Sequence, residues 1–98
     1  MRGMEIYKDR LICYSMGNFA TYGMFKIENE TALVAIFEIK IATDGKFVSG
    51  KLHAGKQFGK GGPVLDNSGE AIKKVRELSM ADFPTTAPKI NDDGTFTK

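Results

Sequence analysis

What most narrows the fold of this chain lies between Thr31 and Ala54. There Leu33, Ala35, Phe37, Ile39 and Ile41 recur at every second position, and the residues between them turn polar at Glu38 and Lys40. A period of two gathers the apolar side chains on one strand face, and a face of that size has to be buried. Asp44-Gly45 then supplies the residue types that tolerate the left-handed backbone of a type I′ hairpin turn. With those two residues as the loop, Ile41 faces Val48, Ile39 faces Gly50 and Phe37 faces Leu52, all apolar, while Glu38 meets Lys51 on the opposite face. Pattern, turn and charge agree on one register, and a slip of one residue loses all three.

Two further elements follow from local signals. Met4-Glu5-Ile6-Tyr7 and Arg10-Leu11-Ile12-Cys13-Tyr14 flank Lys8-Asp9, so residues 4–15 read as a hairpin that pairs Ile6 with Leu11 and Met4 with Cys13. Asp66-Asn67-Ser68 opens a helix over about 68–82, with Asn67 as N-cap and Glu70 three residues on. Ile72, Val75 and Leu78 give it a narrow apolar stripe, and Pro84 ends it. Thr21 to Phe25 reads as part of a structured loop, and Gly55 to Pro63 as a glycine- and lysine-rich one. After Thr85 only Ile90 and Phe96 are large apolar anchors, so a loose tail is expected, with room for a last short strand. The fold class is therefore α+β: two antiparallel hairpins, residues 4–15 and 31–54, and one helix packed on a sheet. Residues 1–83 form a single small segment and 84–98 the tail.

Composition excludes several functions. A chain of 98 residues holds one small core, and 14 basic against 12 acidic residues leave too little net charge to expect a nucleic-acid partner. The N-terminus reaches Glu5 without an apolar stretch, which is not the pattern of a secretion signal. One histidine, His53, and one cysteine, Cys13, are too few for a histidine- or cysteine-built metal centre, and no catalytic, cofactor-binding or metal-ligating residue is assigned. His53, opposite Ile36 in the second strand, reads as a surface histidine, and Cys13, facing Met4, as a buried and inert thiol. Ala54-Gly55-Lys56-Gln57-Phe58-Gly59-Lys60-Gly61 has Ala54 where a phosphate-binding loop needs glycine and Gly61 where it needs a hydroxyl. Lys56 and Lys60 remain as candidate contacts for an anion. Asn91-Asp92-Asp93-Gly94 reads as a turn, because the bidentate glutamate of a calcium loop does not follow.

The block Gly3-Met4-Glu5-Ile6-Tyr7-Lys8-Asp9-Arg10-Leu11-Ile12 running into Tyr14-Ser15-Met16-Gly17-Asn18-Phe19 resembles the C-terminal region of bacterial CapA-type capsule biosynthesis proteins, where the second motif is usually Y-S-L-G-N-F. Gly61-Gly62-Pro63, Ala71-Ile72 through Leu78-Ser79, and Ala81-Asp82-Phe83-Pro84 resemble the same region. The resemblance implies a calcineurin-like metallophosphoesterase sandwich, a role in poly-γ-glutamate synthesis and a bacterial cell-envelope or extracytoplasmic location. It covers most of this chain but only the last part of a family member. The family's histidine motifs, a Gly-His-x-Pro-His element among them, would precede Met1, so the divalent metal and any phosphoesterase activity belong to the full-length parent.

The resemblance also brings Ser15, Gly17 and Asn18 close to the parent's metal cleft, although Gly-Asn after a strand more commonly forms a plain turn. Two functions are carried forward. In one, the chain is the terminal structural segment of a CapA-like protein, and the remainder of that protein is its partner. In the other, it is a standalone module that binds an anionic polymer or a partner protein. Self-association through an exposed sheet face or edge is expected where an apolar surface has lost its cover.

Overall fold

The computed structural model describes residues 1–20, 32–58 and 62–98. Lys60 and the segment Thr21 to Phe25 lie outside them. Strands β1 (Met4–Tyr7) and β2 (Arg10–Cys13) form one hairpin, with Met4 opposite Cys13 and Ile6 opposite Leu11. Lys8 and Asp9 both take positive φ, 49° and 64°, the backbone that a two-residue type I′ turn requires. Both the pairing and the turn match the sequence reading.

Strands β3 (Leu33–Ile41) and β4 (Phe47–Gln57) form the long hairpin. Ile39 faces Gly50, Phe37 faces Leu52, Glu38 faces Lys51 and Ile36 faces His53, all as expected. The end near the turn differs. Ala42 and Lys46 close the loop by a backbone hydrogen bond, and Gly45, at φ 90°, carries the left-handed position. The loop is thus one residue longer than Asp44-Gly45 alone, and β4 absorbs the extra residue as a bulge at Val48. Ile41 consequently pairs with Phe47 instead of Val48, and both Ile41 and Val48 face solvent.

Strand β4 runs to Gln57, so Gly55 to Gln57 are strand where a loop was expected, and β5 (Pro63–Leu65) pairs with them. Helix α1 (Glu70–Asp82) begins two residues later than expected, and its N-cap is Gly69 in a left-handed conformation, not Asn67. Asp66 displaces Asn67 from that role: its carboxylate accepts hydrogen bonds from the backbone and hydroxyl of Ser68. The resulting Asx turn carries the chain into the helix.

Residues beyond 84 are not a loose tail. Strand β6 (Lys89–Ile90) pairs with β7 (Thr95–Thr97), and β7 pairs with the middle of β4, giving the order β3-β4-β7-β6 with β5 also on β4. The chain is therefore α+β, with a two-stranded and a five-stranded antiparallel sheet among the described residues and α1 packed on one sheet face. Ile72 and Val75 of the helix meet Leu33, Leu52, Ala54, Ile90 and Phe96 in one core. Phe96 is fully buried, lies over Gly50 and stacks on Phe47 with ring centroids 5.5 Å apart. Truncating a buried phenylalanine costs about 3–5 kcal/mol, a large part of what a domain this small holds. Phe96→Ala is expected to lose most cooperative unfolding in a urea titration followed by circular dichroism, whereas Ile41→Ala, at an exposed strand end, should shift the midpoint little.

Candidate functional site

The face of the five-stranded sheet turned away from α1 carries the side chains most open to a partner. Alternation along β3 and β4 sends Leu33, Ala35, Leu52 and Ala54 toward the helix, and so sends Ile36, Glu38, Lys51 and His53 the other way. His53 Nε2 lies 3.8 Å from Glu38 Oε1, on the diagonal that the register sets between neighbouring cross-strand pairs. That distance is too long for a hydrogen bond but close enough for attraction when the imidazole is protonated. A cavity of about 200 Å³ opens beside it, lined by Phe19, Ile36, His53, Pro63, Val64 and Leu65. Ile36, Val64 and Leu65 are 54%, 53% and 75% exposed, so this wall is apolar surface facing solvent.

On the other side of β5 lies a more polar cavity of about 300 Å³, which shares His53 and Leu65 and adds Lys51, Asp66, Ser68 and Asp93. Its carboxylates are already held by neighbouring side chains. Hydrogen bonds from Ser68 hold the Asp66 carboxyl below the 3.8 of a free aspartate, and Lys56 nearby reinforces the shift. Thr95 does the same for Asp93 through its hydroxyl and backbone N–H. Lys56 donates to Glu70 at 2.8 Å and lies 4.0 Å from Asp66, and the bond to Glu70 raises its pKa above the ordinary lysine value.

The residues singled out from sequence separate into distinct places. Ser15 accepts the Arg2 N–H at its carbonyl and the Gly17 N–H at its hydroxyl, while Gly17 has φ 79°, so this stretch is a turn. Asn18 contributes its backbone carbonyl, which accepts a 2.7 Å hydrogen bond from the amide of buried Gln57. Through that bond the Ser15–Asn18 turn is anchored to the end of β4, and Phe19 is delivered to the apolar cavity. Lys56 lies on β4 within its own ion pairs, apart from that turn. Cys13 is half-buried opposite Met4, and burial pushes its thiol pKa up, away from the reactive thiolate. Sequence reasoning did not assign Gln57 or the Glu38–His53 approach. The second was available, because pairing His53 with Ile36 already places Glu38 on its diagonal.

Among the described residues no group of three or more His, Cys, Asp or Glu side chains is placed to hold a metal ion, and no helix is long and apolar enough to cross a membrane. A scan against protein-family models finds no match to the chain, and searches of curated proteins and of solved structures find none either.

Two outcomes follow. Gln57→Ala, which strips the Asn18 carbonyl of its donor, should destabilise the fold by about 1–3 kcal/mol, whereas Asn18→Ala keeps that carbonyl and should cost under about 0.5 kcal/mol, both read from urea unfolding. The lowered pKa values of Asp66 and Asp93 contribute stability that is fully present above the free-aspartate value of 3.8 and is lost as pH falls through the lowered folded values. The urea midpoint should therefore drop between pH 5 and pH 2, and Asp66→Asn should flatten that drop.

Proposed function

We propose that this chain is the C-terminal structural segment of a CapA-like capsule or poly-γ-glutamate biosynthesis protein, and that the part of the sheet face left exposed among the described residues receives the rest of that protein. The observation that carries the reading is where the motif block lies. Tyr14-Ser15-Met16-Gly17-Asn18-Phe19 runs from the end of the first hairpin to the apolar face, anchored by Gln57 at Asn18, with Phe19 beside Ile36, Val64 and Leu65. In a sandwich a sheet is covered on both faces; among the described residues α1 covers one, and the Ser15–Phe19 stretch covers the other only near Gln57. Exposed Ile36, Val64 and Leu65 are what the second layer would bury. Catalytic metal ligands and phosphoester chemistry then reside upstream, and this segment closes the sheet.

The alternative, a standalone module that engages an anionic polymer through Lys56 and Lys60, has weaker support because Glu70 and Asp66 already meet the charge of Lys56. The genomic reading frame distinguishes the two. An open frame continuing upstream of Met1 and encoding Asp-x-His and Gly-His-x-Pro-His motifs is the expected result; a ribosome-binding site and in-frame stop just before Met1 would refute it. The purified 98-residue chain is also expected to show no manganese-dependent hydrolysis of a phosphoester.

A further inference from the structure

Strand β3, second in length only to β4 among the described strands, stands at the end of its sheet among the described residues. It spans nine residues, contains neither proline nor glycine, and pairs with β4 alone among the described residues. Edge strands are normally blunted by bulges, proline or inward charges, because their unused backbone donors and acceptors template another strand. In this hairpin the extra residue, Val48, lies on β4, so β3 keeps an unbroken register. Its half nearer the turn, Ile36 to Ile41, reads Ile-Phe-Glu-Ile-Lys-Ile, with Ile36, Glu38, Lys40 and Ile41 exposed and Phe37 and Ile39 partly buried against the core.

That half is complementary to itself. An antiparallel copy placed about a two-fold axis at Ile39 sets Glu38 against the second copy's Lys40 and Lys40 against its Glu38, so two opposite-charge pairs form at once. The same register sets Phe37 against the second copy's Ile41, covering a side chain that is 63% exposed in the single chain. Shifting the axis by one residue, to Glu38 or Lys40, places like charges directly opposite each other at the centre. We propose that the chain dimerises with a second copy of itself through the outer edge of β3, in the antiparallel register centred on Ile39. Edge pairing does not occupy Ile36, Val64 and Leu65 on the face away from α1, so this dimer and the proposed parent protein stand or fall separately.

Sedimentation velocity across micromolar to millimolar concentration tests it, with circular dichroism confirming that each variant is folded. The 98-residue chain should dimerise. Lys40→Glu and Glu38→Lys each turn both ion pairs into like-charge pairs, so each alone should dimerise at least about tenfold more weakly. Mixed in equal amounts the two variants should form a heterodimer, because every cross-strand pair is then opposite in sign. A wild-type chain that stays monomeric, a Lys40→Glu variant that dimerises as wild type does, or a mixture that fails to associate would each overturn the proposal. As a measurement independent of charge, Ile39→Cys combined with Cys13→Ser should give a covalent dimer with a short bifunctional thiol cross-linker, since directly facing residues bring their Cβ atoms within about 4.5–5.5 Å. No cross-link at that position would reject the register.

Discussion

The ring of Phe96 against the bare backbone of Gly50 is the contact on which the rest of this fold depends. A Cβ at position 50 would sit 2.3 Å from Cζ of Phe96, so the absence of a side chain on the central strand makes the ring's seat. From there Phe96 stacks on Phe47 and faces Ile90, and Ile72 and Val75 of α1 close over the same cluster. The backbone tightens the arrangement. Leu52 donates to the Gly94 carbonyl at 2.8 Å, and any Cβ at Gly94 would lie 2.2 Å from the Leu52 carbonyl oxygen. Two glycines thus let the last hairpin approach β4 closely enough for a two-residue and a three-residue strand to hold.

A second close approach ties the first hairpin to the helix. Gly3 lies against the backbone of Ser79, where a Cβ would come within 2.8 Å. Ser79 is fully buried but not deprived of partners: its hydroxyl donates to the Val75 carbonyl and accepts the Met4 N–H. A small polar residue inside a helix gives up a little helix propensity there and gains a docking point for a strand. Ile6 donates to the Thr86 carbonyl, the Thr86 hydroxyl donates to Glu5, and Tyr14 stacks on Phe83 at 4.9 Å, so the hairpin is held along its length by the segment around the helix end.

What could be read in the sequence was what neighbours in sequence decide. Lys8-Asp9 and the register from Ile36–His53 to Ile39–Gly50 needed only a turn and a period of two, and both stand in the structure. The loop after Ile41 was misjudged by one residue because a three-residue loop with a bulge is as compatible with Asp44-Gly45 as a two-residue one. Asn67 lost the helix cap because Asp66 competes for the same backbone groups. Strands β5, β6 and β7 are too short for periodicity; β5 was hidden in a glycine- and lysine-rich stretch that reads as loop, and β7 depends on β4 residues more than 40 positions earlier, so at most one short closing strand was legible. The site was only partly legible for a related reason. Asn18 acts through its carbonyl, which every residue possesses, so its identity said nothing about Gln57.

The grip of Ser79, Thr86 and Lys98 on the first strands sets the order in which the molecule can be completed. Met4 waits for a partner 75 positions later, Glu5 for one 81 positions later and Asp9 for one 89 positions later. At translation speeds of about 5–20 residues per second, the opening hairpin spends roughly 4–15 seconds outside the ribosome before its helix contacts exist, with only the long hairpin, through Phe47 and Asp44, available to hold it. Nascent chains arrested before Ser79 are, on this topology, the form of the protein most exposed to chaperones and to one another.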